Sequence, residues 1–256
     1  MIFTDTHTHL YLPEFDQDRD PVMENALKKN ITRFFLPNID STTTNALLAL
    51  SAAYPKNCFP MMGLHPGSVK ENFEEELELV KEALNNHTFY AVGEIGIDLY
   101  WDKTFIKEQR TAFQKQIELA KKHALPIVVH MRDAFDETFE IVQALNDEKL
   151  WGIFHCFSGT LKQANKIISL GGFKLGIGGV LTFRNAGLDR VIKEVDTKHL
   201  VLETDLPYLS PVPYRGKRNE SAYLINVAQT LAELHGLSLE QVADITTENS
   251  KTIFGI

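Results

Sequence analysis

Short apolar segments recur along this chain at nearly constant spacing, and most of them end in a polar side chain that can bind a metal ion. The polar residues at these ends are His7, His9, His65, Glu94, His130, His155 and Asp205. Two further segments end near Pro37 and Gly178, so the steps from His9 to Asp205 are 28, 28, 29, 36, 25, 23 and 27 residues. One strand and one helix together take about 25 to 35 residues, so the pattern predicts eight strand–helix units.

This alternation predicts an α/β fold, a (β/α)8 TIM barrel of the metal-dependent hydrolase type. The 256 residues suit one such barrel, which typically takes roughly 250. No linker or shift in composition indicates a second domain, so we expect one hydrolase domain over residues 1–256. Pro126–Val129 is continuously apolar, as expected for a parallel strand buried on both faces. The fourth strand is predicted at Phe89–Val92.

The charge balance limits the kinds of partner that the protein can bind. The formal net charge is -8, whereas a protein that holds nucleic acid in a broad electrostatic groove is usually basic. A substrate that carries phosphate is still compatible with this charge if metal ions and a few local cations hold it. No apolar run approaches the ~20 residues of a membrane span, and no signal sequence precedes the first strand. We therefore expect a cytoplasmic protein without a membrane partner.

The two cysteines are predicted to be free thiols. Cys58 lies near the start of the third predicted strand, and Cys156 lies just beyond the end of the sixth. These positions belong to opposite mouths of a barrel, whereas a disulfide needs Cα atoms within about 7 Å of each other.

The six polar positions on strands one, four, five, six and eight form the main functional signal. Each residue has an ordinary structural alternative when it is considered alone. A histidine can pair with the backbone in a core, a glutamate can pair with arginine, and an aspartate can cap a turn. All six positions lie at the carboxyl ends of predicted strands, where barrel enzymes place their active sites. Together they therefore favour a metal centre over six separate structural roles.

The number of possible ligands favours two divalent ions over one. A mononuclear catalytic zinc takes about three protein ligands, whereas four imidazoles and two carboxylates are available here. We assign His7, His9, Glu94 and Asp205 to one ion, and Glu94, His130 and His155 to the other. Glu94 would bridge the two ions, and Asp205 would act as general base for the activated water. Magnesium, manganese and zinc all remain open, since the site combines imidazole with carboxylate ligands.

Several motifs resemble those of a known family over essentially the whole chain. They are Asp5–Leu10, Gly63–Pro66, Gly93–Asp98, His130–Ala134, His155–Gly159, Leu202–Pro207 and Arg215–Glu220. On these motifs the chain resembles the TatD-type metal-dependent deoxyribonucleases of the amidohydrolase-like barrel group. The resemblance implies a divalent-metal hydrolase, often supported by magnesium in DNA cleavage, whose metal ligands match His7, His9, Glu94, His130, His155 and Asp205. Met131 and Ser221 depart from the family pattern, at positions where a small hydroxyl residue and a proline are common.

Basic side chains in the loops at the same end of the barrel are candidates for phosphate binding. They are Arg132, Arg184, Arg215, Lys217 and Arg218. Arginine suits two-point contact with phosphate, although a short charged run is equally often a solvated loop. We also assign His65 a catalytic role, as a donor to a phosphate oxygen or to the leaving group. Phe183 and Tyr208 are candidates for stacking on a terminal base, with packing beneath the loops as the alternative.

The function favoured by these observations is hydrolysis of DNA phosphodiester bonds, from an end or on a single strand. A second hypothesis keeps the metal ions and changes the bond to that of a small ester, lactone or amide. A third hypothesis is a protein that binds nucleic acid or metal without catalysis, and the complete set of ligands and the apparent base argue against it.

Overall fold

The computed structural model describes residues 1–256, in which eight parallel strands alternate with helices. The strands are β1 (Phe3–Asp5), β2 (Ile31–Pro37), β3 (Cys58–Met61), β4 (Val92–Asp98), β5 (Ile127–Arg132), β6 (Gly152–Phe154), β7 (Phe173–Ile177) and β8 (Leu200–Leu202). The helices are α1 (Arg19–Lys28), α2 (Thr44–Ala53), α3 (Phe73–Asn86), α4 (Ile106–His123), α5 (Phe135–Leu145), α6 (Leu161–Ser169), α7 (Leu188–Lys193), α8 (Leu224–His235) and α9 (Leu239–Phe254).

The strands lie in chain order around a barrel. The ladders β1-β2-β3 and β4-β5-β6-β7-β8 are parallel throughout. Backbone hydrogen bonds join these two ladders at both seams: for example, Met62 N donates to Ala91 O over 3.1 Å beside β3 and β4, and Thr6 N donates to Leu202 O over 3.0 Å beside β1 and β8. The predicted (β/α)8 class is therefore confirmed.

The barrel interior is apolar at the amino-terminal end of the strands and polar at the carboxyl-terminal end. The apolar cluster consists of Phe35, Phe59, Met61, Ala91, Val128, Ile153, Val201, Ile253 and Phe254. Phe254, from the end of α9, stacks on Phe35 with ring centroids 3.6 Å apart and closes this end. Since side chains alternate along a strand, His130 points to the same side as Val128, two residues earlier. The strands thus place an apolar plug beneath the polar residues.

A larger core of 57 buried residues lies between the strands and the surrounding helices. Helix α3 buries Leu77, Val80 and Leu84, which recur at helical spacing in the sequence. Helix α9 begins with the predicted capping box, in which Ser238 and Gln241 satisfy each other's backbone N–H groups. Local sequence signals therefore agree with the tertiary structure along most of the chain.

Strand β4 differs most from its prediction. Strand β4 spans Val92–Asp98 rather than Phe89–Val92, so Glu94 lies within the strand. The register with β5 shifts between Gly93 and Ile95, which places a bulge at Glu94 and interrupts the regular alternation. The cysteines are free as predicted, with Cys58 buried and Cys156 half-buried. No helix has both the length and the apolar character needed to cross a bilayer, and the cytoplasmic location stays a prediction.

Candidate metal centre

Two groups of nitrogen and oxygen donors face the two carboxylate oxygens of Glu94. In the first group, Oε2 of Glu94 lies 3.2 Å from His7 Nε2 and 3.7 Å from His9 Nε2. Oδ1 of Asp205 lies 3.7 Å from each of the same two nitrogens. These are the four residues that the sequence assigns to one ion.

The second group of donors surrounds the other oxygen of Glu94. Oε1 lies 2.6 Å from His130 Nδ1 and 2.8 Å from His155 Nε2. His65 Nε2 lies 3.6 Å from the same oxygen, so this residue of the loop after β3 lies beside the second group. The rings of His7 and His155 stack with centroids 3.8 Å apart and place the two groups side by side.

Backbone geometry brings these donors into the barrel. Glu94 and His130 lie inside β4 and β5 rather than at their ends, because both strands extend further than predicted. Gly96 adopts a φ of 148°, and a Cβ atom at this position would lie 2.0 Å from the carbonyl oxygen of His130. The close approach of β4 to β5 therefore depends on glycine at this position. Asp205 has a φ of 56°, which Asp tolerates better than most residues, and its N–H donates to His7 O.

Two of the histidines have a hydrogen-bonded oxygen on the ring nitrogen that faces away from Glu94, and a third lies beside a carboxylate oxygen. His9 Nδ1 is 3.0 Å from the hydroxyl of Tyr11, which itself donates to Pro37 O. Because the Tyr11 proton is used in that bond, the hydroxyl accepts from His9 Nδ1, and the lone pair of His9 lies on Nε2. Such a partner fixes the tautomer and the orientation of a metal-binding imidazole.

Carboxylates lie beside the outer nitrogens of His130 and His155 in the second group. Asp98 Oδ2 lies 2.9 Å from His130 Nε2, and Glu203 Oε1 lies 3.3 Å from His155 Nδ1. His130 can therefore donate a proton to Asp98 and turn an unprotonated Nδ1 towards Glu94, whereas His155 Nδ1 lies beside Glu203 without the geometry of a hydrogen bond. The sequence reasoning did not assign a role to Tyr11, Asp98 or Glu203. Each of them is a polar residue that lies two or four positions from a predicted ligand in the sequence.

The charges at the centre strongly perturb its pKa values. Burial would raise the pKa of Glu94, but His155, His7 and His65, together with a hydrogen bond from His130, hold it well below its usual range. Burial raises the pKa of Asp205 to about 6. Burial also lowers the pKa of His65 to about 4, so this imidazole is neutral near neutral pH. In spite of burial, Glu94 and Glu203 raise the pKa of His155 well above its usual value, and Asp98 and Glu94 raise the pKa of His130. The charges at the centre thus favour an ionised Glu94 beside these two imidazoles.

The donor set fits a divalent cation. Ligands that lie about 2.1 Å from one ion are themselves roughly 3–3.5 Å apart, and the distances above, from 2.6 to 3.7 Å, bracket that range. Buried carboxylates and imidazoles at this density need a compensating partner, and Nδ1 of His7, Nδ1 of His155 and Oε2 of Glu203 have no hydrogen-bond partner. His7, His9, Glu94 and Asp205 would hold one cation, and Glu94, His130, His155 and His65 surround the other position.

A hydrogen-bond network under the centre links β1 to the segment after β8. Asp5 Oδ1 accepts from Thr204 N over 2.9 Å, and its Oδ2 accepts from the hydroxyls of Thr204 and Ser221. Burial raises the pKa of Asp5 to about 7 in spite of these hydrogen bonds. Thr204 lies between Glu203 and Asp205, so the network positions both. Ser221, which departs from the family pattern, supplies a hydroxyl that proline lacks.

The predicted phosphate-binding residues separate into different environments. Arg132 is exposed above the ring of Tyr100, and Arg215 lies over Phe183 at 4.1 Å from the ring centroid. Lys217 is also exposed. Arg184 lines a cleft of about 400 Å³ beside α7 and α8, to which none of the six predicted metal ligands contributes.

Arg218 has an internal partner. Its guanidinium donates to both carboxylate oxygens of Asp18, over 2.9 and 2.6 Å, and to Glu14 O. It also lies over the ring of Phe15. These contacts brace the loop after β8 and occupy the donors that phosphate would need. The role of Arg218 in binding substrate stays a prediction, and the structure gives it a bracing contact.

The barrel and the paired donor groups at its carboxyl-terminal mouth define a metal-binding barrel of the hydrolase class. A model of the family described as TatD related DNase matches residues 4–255. The chain belongs to the TatD family and is a metal-dependent hydrolase.

Individual relatives agree with this assignment. The uncharacterized metal-dependent hydrolase YabD of Bacillus subtilis is 37% identical over the full length of both chains. The crystal structure of YjjV, a TatD homologue from Escherichia coli, superposes with a TM-score of 0.93 at 30% identity, over 99% of this chain and 98% of that one. A TatD-family hydrolase from Entamoeba histolytica shares the fold, with a TM-score of 0.85 at 21% identity over 99% and 98% of the two chains.

Proposed function

We propose that this protein hydrolyses DNA phosphodiester bonds at two divalent cations that share Glu94. The observation that carries the proposal is that each oxygen of this one carboxylate faces its own group of histidines. Cations bound at both positions would lower the pKa of a water molecule and neutralise charge on the attacking and leaving oxygens. The family description as TatD related DNase supports the choice of DNA.

Asp205 is the residue best placed to accept the proton of the attacking water. Its Oδ1 faces His7 and His9, and its side chain is 16% exposed, which is more than the 3% of Glu94. A pKa raised to about 6 by burial keeps the carboxylate mostly ionised at neutral pH and makes it a better base than a free aspartate. Asp205 therefore combines access, charge and proximity to the first donor group.

His65 is placed to donate a hydrogen bond from Nε2. Its Nδ1 accepts the N–H of Gly67 over 2.9 Å, so the proton of the neutral ring lies on Nε2. That atom points towards the second donor group, 3.6 Å from Glu94 Oε1. We assign it a hydrogen bond to a phosphate oxygen or to the leaving oxygen, made by a neutral imidazole rather than by an imidazolium.

Exposed arginines at the mouth support a substrate that carries phosphate. Arg132 follows His130 by two residues, and Arg215 lies on the loop after β8. The formal net charge of -8 favours a few local contacts over a long basic groove, which agrees with attack at an end or on a single strand.

The test uses protein stripped of metal and reconstituted with magnesium, manganese or zinc. Each form is assayed on labelled linear and circular single-stranded DNA, on duplex DNA, and on a panel of small esters, lactones and amides. We expect metal-dependent cleavage of linear DNA and loss of that activity in Glu94→Gln. Circular single-stranded DNA, which has no end, should not be cleaved. The exposed Glu118 on α4 offers a matched control, because Glu118→Gln removes the same charge far from the centre.

Two outcomes would contradict the proposal. Turnover of the small esters or amides without DNA cleavage would favour the second hypothesis, hydrolysis of a small ester, lactone or amide. Tight binding of DNA without cleavage, with all three metals, would favour a protein that binds nucleic acid without catalysis.

A further inference from the structure

Tyr100, Trp101 and Arg132 form an exposed aromatic surface, which we call the Trp101 platform. Trp101 is 77% exposed, more than any other large apolar side chain of the protein, and Tyr100 is 52% exposed. Their rings stand at 90° to each other with centroids 4.8 Å apart. The Arg132 guanidinium lies 3.8 Å from the Tyr100 centroid and 5.4 Å from the Trp101 centroid. The platform therefore combines open aromatic faces with a fixed cation.

The loop that carries the platform is braced on both sides. Tyr100 N donates to Asp98 Oδ1 over 2.9 Å. Beyond Trp101, Asp102 accepts from Thr104 N and pairs with Lys70 over 3.4 Å. The backbone is therefore held while the indole faces solvent. An indole that is exposed from a braced loop presents a binding surface that needs little ordering before a ligand stacks on it.

The platform is mechanically linked to the metal centre through one carboxylate. Asp98 accepts from Tyr100 N with one oxygen and contacts His130 Nε2 with the other. Arg132 follows His130 by two residues on β5, and its carbonyl accepts from Leu99 N. The loop that carries Trp101 thus begins at a carboxylate that contacts the second donor group of the centre.

We propose that the Trp101 platform stacks a nucleobase of the substrate strand whose neighbouring phosphate contacts Arg132. This proposal rests on the proposed DNA substrate and identifies where one of its bases binds. Aromatic faces stack on any base, and the guanidinium supplies the charge that a phosphate requires. A small ester or amide carries neither a base nor a row of phosphates and would leave this surface unused.

The main experiment compares Trp101→Ala with Trp101→Phe on short single-stranded DNA. Stacking on one base corresponds to about a 5- to 100-fold change in affinity. We expect KM to rise by that factor in Trp101→Ala, with kcat changed much less, and to be largely restored in Trp101→Phe. Leu79 on α3 is 47% exposed, and Leu79→Ala is the matched loss of an exposed apolar side chain.

Substrates that carry a single abasic site separate stacking from phosphate contact. In the wild-type protein, removal of the base at one position should raise KM about as much as Trp101→Ala does. In Trp101→Ala the same abasic site should have little further effect, since the two changes remove one interaction. Additive effects of the two changes would overturn the proposal, as would a KM for DNA that is unchanged in Trp101→Ala.

Fluorescence tests the platform without relying on cleavage. The chain has two tryptophans, and Trp151 donates to Ile253 O at the opposite end of the barrel. In a Trp151→Phe background the emission therefore reports on Trp101 alone. We expect single-stranded DNA to quench this emission and a fully abasic strand of the same length to quench it much less. Equal quenching by the two strands would contradict stacking on Trp101, even if DNA is cleaved. Quenching that requires bases, without any cleavage, would support stacking on Trp101 and contradict the proposed reaction.

Discussion

The Nε2 atom of His130 lies 2.9 Å from Oδ2 of Asp98, on the side of the ring opposite to Glu94. Asp98 thereby holds the imidazole with Nδ1 directed at the metal centre. Partners of this kind raise the basicity of a ligating histidine and fix its orientation. Asp98 is buried and adjoins the exposed loop that carries Trp101, so one carboxylate serves both the centre and the platform.

Replacing the outer partner of His130 should weaken metal binding. In Asp98→Asn the side-chain oxygen can still accept from Tyr100 N, but an amide N–H then faces the N–H of His130. We expect a 10- to 100-fold loss of affinity for the more weakly held metal ion, on the order found for such partners. Titration calorimetry of the metal-free protein measures it. Asp102→Asn, in the same loop, should leave the affinity unchanged, and equal affinities in both variants would contradict the role given to Asp98.

Asp205→Asn should separate metal binding from turnover. The amide oxygen can still contact the cation, but it cannot take a proton from water. We expect most of the bound metal to remain and kcat to fall by about 10²- to 10⁴-fold, as for loss of a general base. Metal content and single-turnover DNA cleavage are measured on the same preparation. Asp133→Asn, at an exposed position after β5, is the control, and full activity in Asp205→Asn would sink the assignment of the base.

Phe254→Ala should reduce stability without changing the metal centre. Phe254 stacks on Phe35 within the apolar plug at the amino-terminal end of the barrel. We expect a loss of about 3–5 kcal/mol in the free energy of unfolding, from lost burial and the cavity that remains. Urea unfolding measures this loss, and metal content at low urea should equal that of the wild type. Leu79→Ala, on the exposed face of α3, should change stability by less than about 0.5 kcal/mol.

The pair between Arg218 and Asp18 should make a small, pH-dependent contribution to stability. A hydrogen bond from Arg218 holds the pKa of Asp18 below its usual value of 3.8. The folded protein therefore binds this proton less readily than the unfolded chain. The contribution of the pair is complete above the unfolded pKa and is lost as the pH falls through the folded one.

We expect Asp18→Asn to lower stability by about 0.5 kcal/mol at pH 7, because water screens a pair that is partly exposed. The difference from the wild type should shrink as the pH approaches 3 in urea unfolding. Glu24→Gln breaks an exposed pair with Lys28 at 3.7 Å and should have almost no effect at any pH. A loss of stability in Asp18→Asn that grows towards acid pH would show that the predicted pH dependence has the wrong sign.

The positions of strands and candidate ligands could be predicted wherever one local pattern was sufficient. The buried run before His130 and the capping box at Ser238 are signals of that kind, and both agree with the structure. Strand β4 was misplaced because its bulge at Glu94 breaks the alternation on which a strand prediction depends. The pairing of Arg218 with Asp18 was not predicted, because the two residues lie 200 positions apart in the chain.

The sequence by itself determined the barrel, the order of its units and the set of side chains that converge at one mouth. Regular spacing and the pattern of apolar and polar residues are properties of neighbouring residues, so they are present in the chain before it folds. Only the tertiary structure decided which oxygen of Glu94 faces which histidines. It also placed Asp98, Glu203 and Tyr11 beside the histidine nitrogens that face away from Glu94. Contacts of a few ångströms between distant segments depend on strand register and closure of the barrel, and neither is encoded in any one segment.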